Sequence, residues 1–206
     1  LAPRDAAPLT DAALTPYRAI KRALPAMTPD YPALVIGTGG LGQFGIKLLR
    51  LLTGCEVIAV DVADDKLATA REVGAHHTLN SRTLGDDTVA RIHELSRGGV
   101  SAAFDFVGAD ATLALAFGAT RKLGRVVQVG LAGGTAHLAA LQSWQPEVSF
   151  SVSFWGSIKE LREVMAMADD GRLTPIPLEF HGLDAVNDVY HRLERGEVRG
   201  RAVITP

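Results

Sequence analysis

The stretch LVIGTGGLGQFGIKLL, Leu34 to Leu49, decides the fold. It opens on an apolar run, places Gly37, Gly39, Gly40 and Gly42 within six residues, and continues with apolar residues at helical spacing. A short all-apolar run reads as a strand buried on both faces, so the stretch predicts strand, turn, helix. Gly37, Gly39 and Gly42 satisfy G-x-G-x-x-G, with Gly40 an extra. The first permits the tight turn, the second lets backbone approach a pyrophosphate, and the third brings helix and strand together. The helix that starts there aims free N–H groups and its positive end at the phosphates. A glycine triplet alone also fits a flexible loop. The buried strand before it and the helix after it are the context the motif requires.

Working outward, EVIAVD (Glu56–Asp61) reads as the next buried strand and ends in an acid nineteen residues past Gly42. An acid there accepts both ribose hydroxyls of an adenosine and repels a 2′-phosphate, so Asp61 points to NAD rather than NADP. Asp61 could equally be a turn residue in DVADDK, where Asp64 is also placed to cap the helix running to Val73. Further strands are expected at His76–Asn80, Ala102–Gly108, Gly124–Gly130 and within Glu147–Gly156, with helices at Asp86–Ser96, Thr112–Ala119 and Ser157–Asp170. Strand and helix alternate with short connections, which predicts an α/β, doubly wound (Rossmann) parallel sheet. Before it, Thr15–Pro25 reads as a short helix, with Thr15 as N-cap and Pro16 at the first helical position. After it, the chain reads as strand, helix (Leu183–Arg195), strand, a unit that belongs with another domain. The expected organisation is 1–30 as a connecting segment, 31–172 as the dinucleotide-binding domain and 173–206 as a returning strand–helix–strand. A start at Leu1 and five prolines in the first thirty residues suggest the middle of something longer.

The bulk composition narrows the partners. A formal charge of -2 carries no basic footprint for nucleic acid or an anionic membrane surface. No apolar run approaches the roughly 20 residues of a membrane helix, and the first residues do not read as a signal peptide. One cysteine, Cys55, excludes an internal disulfide and fits a reducing, cytoplasmic setting, where it reads as a small core residue. The six histidines are scattered without helical pairing, so they read as surface residues. Trp144, Phe150, Phe154 and Trp155 gather around the sixth strand. Core packing and a subunit contact fit them equally.

GTGGLG, AVDVADDKL, REVGA, DFVG, VVQVGL and the ending RGRAVITP, in this order, resemble the zinc-dependent alcohol dehydrogenases of the medium-chain dehydrogenase/reductase superfamily, and among them the bacterial secondary-alcohol enzymes. Members run to about 350 residues in two domains, so the likeness covers only the later part of such an enzyme. It implies the cofactor NAD, held at Gly37, Gly39, Gly40 and Gly42, with Leu41 behind the nicotinamide. It makes Asp61 the ribose acid and Lys66 its basic neighbour. Val107, Val129, Gly130 and Leu131 would line the adenosine and nicotinamide path, with backbone around Gly130 holding the carboxamide. Arg201 would meet the pyrophosphate, with Arg199 a second basic group nearby.

In the segment PLTDAALTPY the resemblance makes Asp11 a ligand of the catalytic zinc, where many relatives carry cysteine, and sets Thr15 against the nicotinamide. From the residues alone, both read as helix caps. The chain lacks the family's GHE segment, its early cysteine and its CxxC lobe, and one carboxylate cannot hold a zinc that wants three protein ligands. The implied activity is NAD- and zinc-dependent hydride transfer between a small secondary alcohol and its ketone in the complete protein. The 206 residues alone are expected to bind NAD weakly and turn nothing over. A homo-oligomer would form through about Val148–Phe154. The alternatives are a zinc-free, NADPH-dependent enone or quinone reductase of the same superfamily, and a non-catalytic nucleotide-binding module.

Overall fold

The computed structural model describes residues 1–137 and 147–206; Trp144 lies outside them. Its elements in chain order are α1 (Pro3–Ala6), α2 (Leu14–Ala23), β1 (Ala33–Ile36), α3 (Gly40–Leu52), β2 (Val57–Asp61), α4 (Asp64–Glu72), β3 (His77–Asn80), α5 (Ser81–Leu84) and α6 (Thr88–Ser96). They continue with β4 (Val100–Asp105), α7 (Asp110–Ala119), β5 (Thr120–Gln128), β6 (Ser149–Val152), α8 (Ile158–Asp169), β7 (Leu178–Gly182), α9 (Val186–Glu194) and β8 (Arg201–Thr205).

The strands β1 to β6 form one parallel sheet in the order β3-β2-β1-β4-β5-β6, while β7 and β8 pair as a separate parallel ribbon. All residues of β1 and β4 are buried, as a strand covered on both faces must be. Alternate residues divide the core into two layers. Ala33, Val35, Val57, Ala59 and Phe104 face Ile20 of α2, Ile46 and Leu49 of α3, Ala70 of α4 and Val164 of α8. Leu34, Ile36, Ile58, Val60 and Ala103 face Ile92 of α6 and Ala116 of α7. No helix among the described residues is long and apolar enough to cross a membrane.

Three local expectations are corrected. Thr15 does not cap α2: the helix begins at Leu14, its N-cap is Ala13, and no side chain caps it. Pro16 therefore sits two residues inside the helix, still in the first turn, where the missing N–H costs nothing. Asp64 is the first residue of α4 rather than its cap, and accepts a bond from Asn80 Nδ2 at 2.7 Å. The strand expected at Ala102–Gly108 ends at Asp105, because the Asp105 carboxylate bends the next residues into a turn.

The N-terminal segment is fastened to the sheet through α8. Ser157 and Glu160 form a capping box at the start of that helix. Glu160, only 8% exposed, accepts from Ser157 N (2.7 Å), Ser157 Oγ (2.8 Å) and Arg18 Nη1 (2.7 Å). One turn on, Glu163 takes Tyr17 Oη at 2.7 Å and the Lys21 ammonium. Both carboxylates tie α2 to α8 and so hold the preceding turn, with Asp11, over the sheet. Burial opposes ionisation of Glu160, but the bonds from Ser157 and Arg18 outweigh it and its carboxyl titrates below the ordinary range. A depressed carboxyl stabilises the fold above its unfolded value, and that stabilisation is lost as pH falls through the folded value. Glu160→Gln should therefore lower the unfolding free energy by about 1–3 kcal/mol at neutral pH. The difference should shrink as the pH is lowered through the folded titration of Glu160, as urea unfolding over a series of acidic pH values would reveal.

Candidate cofactor site at the crevice of the sheet

Strand order reverses between β1 and its two neighbours, β2 and β4. At such a switch point the loops leaving the strand ends part and open a crevice. Ile36, the last residue of β1, lies beside Asp105, the last of β4. Gly37 turns the chain with φ +84°, and Val107 Cγ2 lies 2.7 Å from where a Cβ would sit. A Cβ on Gly42 would land on the Gly37 carbonyl oxygen, so only glycine lets α3 start this close to β1. At Gly39, the N-cap of α3, a Cβ would meet nothing within 4 Å. The free N–H groups of the first turn of the helix that starts here suit a phosphate.

Asp61 ends β2 and closes the turn. Its Oδ2 accepts from Thr38 N (2.7 Å) and Thr38 Oγ1 (3.0 Å), and its Oδ1 from Val62 N (2.8 Å) and Ala63 N (3.2 Å). Asp61 is half-buried, and its carboxylate shapes the glycine turn from the neighbouring strand. Lys66 lies in the first turn of α4 and lines a cavity of about 280 Å³ with Gly39, Gln43, Thr69 and Arg199. Arg199 is already engaged, by Thr69 Oγ1 at 3.0 Å and by Glu72. Arg201 enters from β8, its side chain lying over Gly40, and reaches Asp11 Oδ2 at 2.7 Å.

Val107 and Gly130 meet at the ends of β4 and β5. A Cβ on Gly130 would land on Val107 backbone, and Val107 O accepts Ala132 N at 3.0 Å. Sequence reasoning missed the residue that builds this junction. Asp105 is fully buried, and its carboxylate accepts Val107 N (2.9 Å), Gly108 N (3.0 Å) and Thr112 Oγ1 (2.8 Å). Its signal is an acid at the end of a buried strand, as at Asp61, here followed by Gly108 and a helix.

A second cavity, of about 400 Å³, brings together Asp11, which the resemblance makes a zinc ligand, with Thr15, Leu41, Val129 and Leu131, which it sets along the nicotinamide path. Ser153, Phe154 and Trp155 complete its wall. Thr15 Oγ1 donates to Asp11 Oδ1 at 3.0 Å, so the two form a polar pair in a mostly apolar hollow. Asp11 thus holds Thr15 on one oxygen and Arg201 on the other. Among the described residues no three His, Cys, Asp or Glu side chains converge as a metal site. A catalytic zinc needs three protein ligands, and these residues do not supply them; Asp11 has a suitable oxygen donor but stands alone.

Residues 40–170, more than half of the chain, match the family model described as zinc-binding dehydrogenase. The chain belongs to the zinc-binding dehydrogenase family. Among its curated relatives, an NAD-dependent alcohol dehydrogenase of Sulfolobus acidocaldarius is 32% identical over 206 residues, 99% of this chain and 58% of that protein. An alcohol dehydrogenase of Geobacillus stearothermophilus is 30% identical over 204 residues, again 99% of this chain and 58% of that one. Among solved structures, the alcohol dehydrogenase of Aeropyrum pernix superposes with a TM-score of 0.90 at 40% identity, over 98% of this chain and 58% of that one. The chain therefore spans a little under three fifths of the length of these family members, and the doubly wound fold expected from the glycine turn is the fold they share.

Proposed function

We propose that this chain is the cofactor-binding part of a longer NAD-dependent alcohol dehydrogenase acting on small secondary alcohols and ketones. One observation carries the reading. The apolar cavity holding Asp11, Thr15, Leu41, Val129 and Leu131 opens beside a glycine turn whose flanking strand ends in Asp61. That combination accommodates a dinucleotide with its reactive ring in an apolar hollow and its unphosphorylated ribose at an acid.

The roles follow from the chemistry of each group. The N–H groups at the start of α3 bind the pyrophosphate. Arg201, lying over Gly40, supplies the opposing positive charge, and Lys66 stands by the ribose. Asp61 already accepts four bonds from Thr38, Val62 and Ala63, so ribose hydroxyls would share or displace them, and its charge repels a 2′-phosphate. Leu41 and Val129 pack against the ring and exclude water, and the carboxamide lies near Gly130. The nicotinamide, when bound, supplies the hydride acceptor. Thr15, held by Asp11, presents a hydroxyl to the same hollow.

On this reading Asp11 is the one zinc ligand that the chain contributes, and the remaining ligands lie outside these 206 residues. A zinc ion so held would supply Lewis acidity toward the alcohol oxygen. The relatives named NAD-dependent alcohol dehydrogenases support the cofactor and the reaction class. The reading also puts a homo-oligomer contact at β6, an edge strand among the described residues, where Val152, Phe154 and Trp155 are exposed. Phe150 by contrast packs on Phe117, ring centroids 5.5 Å apart.

The test uses the whole protein that carries this chain. Asp11→Asn should remove bound zinc, measured by elemental analysis, and cut alcohol-dependent NADH formation on the order of 100-fold or more. Full zinc content with undiminished turnover would contradict the assignment.

A further inference from the structure

We propose that the segment from Gly196 to Arg201 is a strap across the phosphate cradle, and that Thr69 and Glu72 of α4 are positioning residues that latch it through Arg199, so that Arg201 meets the pyrophosphate. The proposal rests on the cofactor reading above and adds to it two residues for which neither motif nor resemblance had a role.

The strap runs from the end of α9 to the start of β8 and passes over the first turn of α3. Gly200 O lies 2.9 Å, and Arg201 Cδ 2.7 Å, from where a Cβ on Gly40 would sit. Toward the small ribbon the strap is fixed largely by its backbone. Arg201 N donates to Pro177 O at 3.1 Å, and a Cβ on Gly200 would land on that same carbonyl oxygen. Arg199 N donates to Glu179 Oε1 at 3.3 Å. These bonds hold the strap to β7 and leave its setting over the cradle open.

Toward α4 the fastening is a side chain. Arg199 Nε donates to Thr69 Oγ1 at 3.0 Å, and Nη2 pairs with the Glu72 carboxylate. Thr69 is only 2% exposed, so the guanidinium reaches in beside the helix rather than resting on its surface. Glu72, Thr69 and Arg199 share the wall of the 280 Å³ cavity with Gly39, the N-cap of α3. The latch therefore sits next to the N–H groups that would take the phosphates.

Two features of Glu72 argue that this contact has a use. It is the last residue of α4, where the negative end of the helix disfavours a carboxylate. It is also an anion beside a site read as binding an anionic pyrophosphate, so its charge alone opposes the ligand. A benefit to binding can come only through the cation it holds. Positioning and bare electrostatics thus predict opposite signs for its removal.

The test is a double-mutant cycle in the whole protein that carries this chain, with NAD titrated calorimetrically. Glu72→Gln should weaken NAD about 2- to 5-fold, the worth of an exposed ion pair, while Tm moves by less than about 2 °C. Arg201→Ala should weaken NAD about 10-fold or more, the worth of a hydrogen bond to a charged group. Adding Glu72→Gln to Arg201→Ala should change binding by less than about 1.5-fold, because the latch acts through Arg201. Unchanged or tighter binding in Glu72→Gln, normal binding in Arg201→Ala, or full additivity of the two would overturn the strap. Failure of the unaltered protein to bind NAD would instead overturn the cofactor reading itself.

Discussion

Gly42→Ala should weaken NAD binding about 10- to 100-fold and lower the unfolding free energy by about 1–3 kcal/mol, the range for overpacking a tight interior. The added Cβ would land on the carbonyl oxygen of Gly37, with Val35 Cγ1 behind it at 3.6 Å. The first of these is backbone and cannot swing aside. Helix α3 must then lift from β1, and the N–H groups that form the phosphate cradle move with it. Gly39→Ala is the informative partner. There a Cβ meets nothing of the protein within 4 Å, so the fold should tolerate it. The methyl group would instead project into the space read as the pyrophosphate's. Binding should fall while Tm stays put. Calorimetric titration and thermal unfolding of the two variants separate the roles; a Gly39 variant that binds NAD normally would refute the cradle.

Asp61→Asn carries the second large effect. The carboxylate of this half-buried residue accepts four bonds from Thr38, Val62 and Ala63. An amide keeps one acceptor oxygen and replaces the other by a donor, which conflicts with N–H groups converging from both sides. Loss of a charged acceptor for the ribose should weaken NAD about 10- to 100-fold, the worth of hydrogen bonds to a charged group. NADP should lose less, because the charge that repelled its 2′-phosphate is gone. Parallel titrations with both dinucleotides read the ratio directly. An unchanged preference would mean that Asp61 serves the turn alone.

Much of this was legible because it is local. An apolar run, spaced glycines and a periodic apolar helix occupy sixteen consecutive residues, and the turn they predict is where Gly37 takes its positive φ. The alternation of strands and helices, including weak β3, follows from the same short-range patterns. What stayed hidden depends on where side chains come to lie once the chain is folded. Asp105 looks like the end of a strand, and its carboxylate acquires a role only when the chain folds back over it to donate from Val107, Gly108 and Thr112. Ser153 is one serine in the alternating run SFSVSFW, and its burial depends on the sheet edge and the wall of the cavity. Thr15 misled because Ser, Thr and Asp near a helix start are good caps in general. Here the helix starts one residue earlier, and both Thr15 N and Thr15 Oγ1 bond to Asp11. The pairing of Arg201 with Asp11 spans 190 residues and could not be read from either segment.

The most direct measurement is a calorimetric titration of the 206-residue chain with NAD and, in parallel, with NADP. The account predicts binding of NAD at least about 10-fold tighter than of NADP, with one site per chain. Equal binding, a preference for NADP, or no binding of either would contradict it.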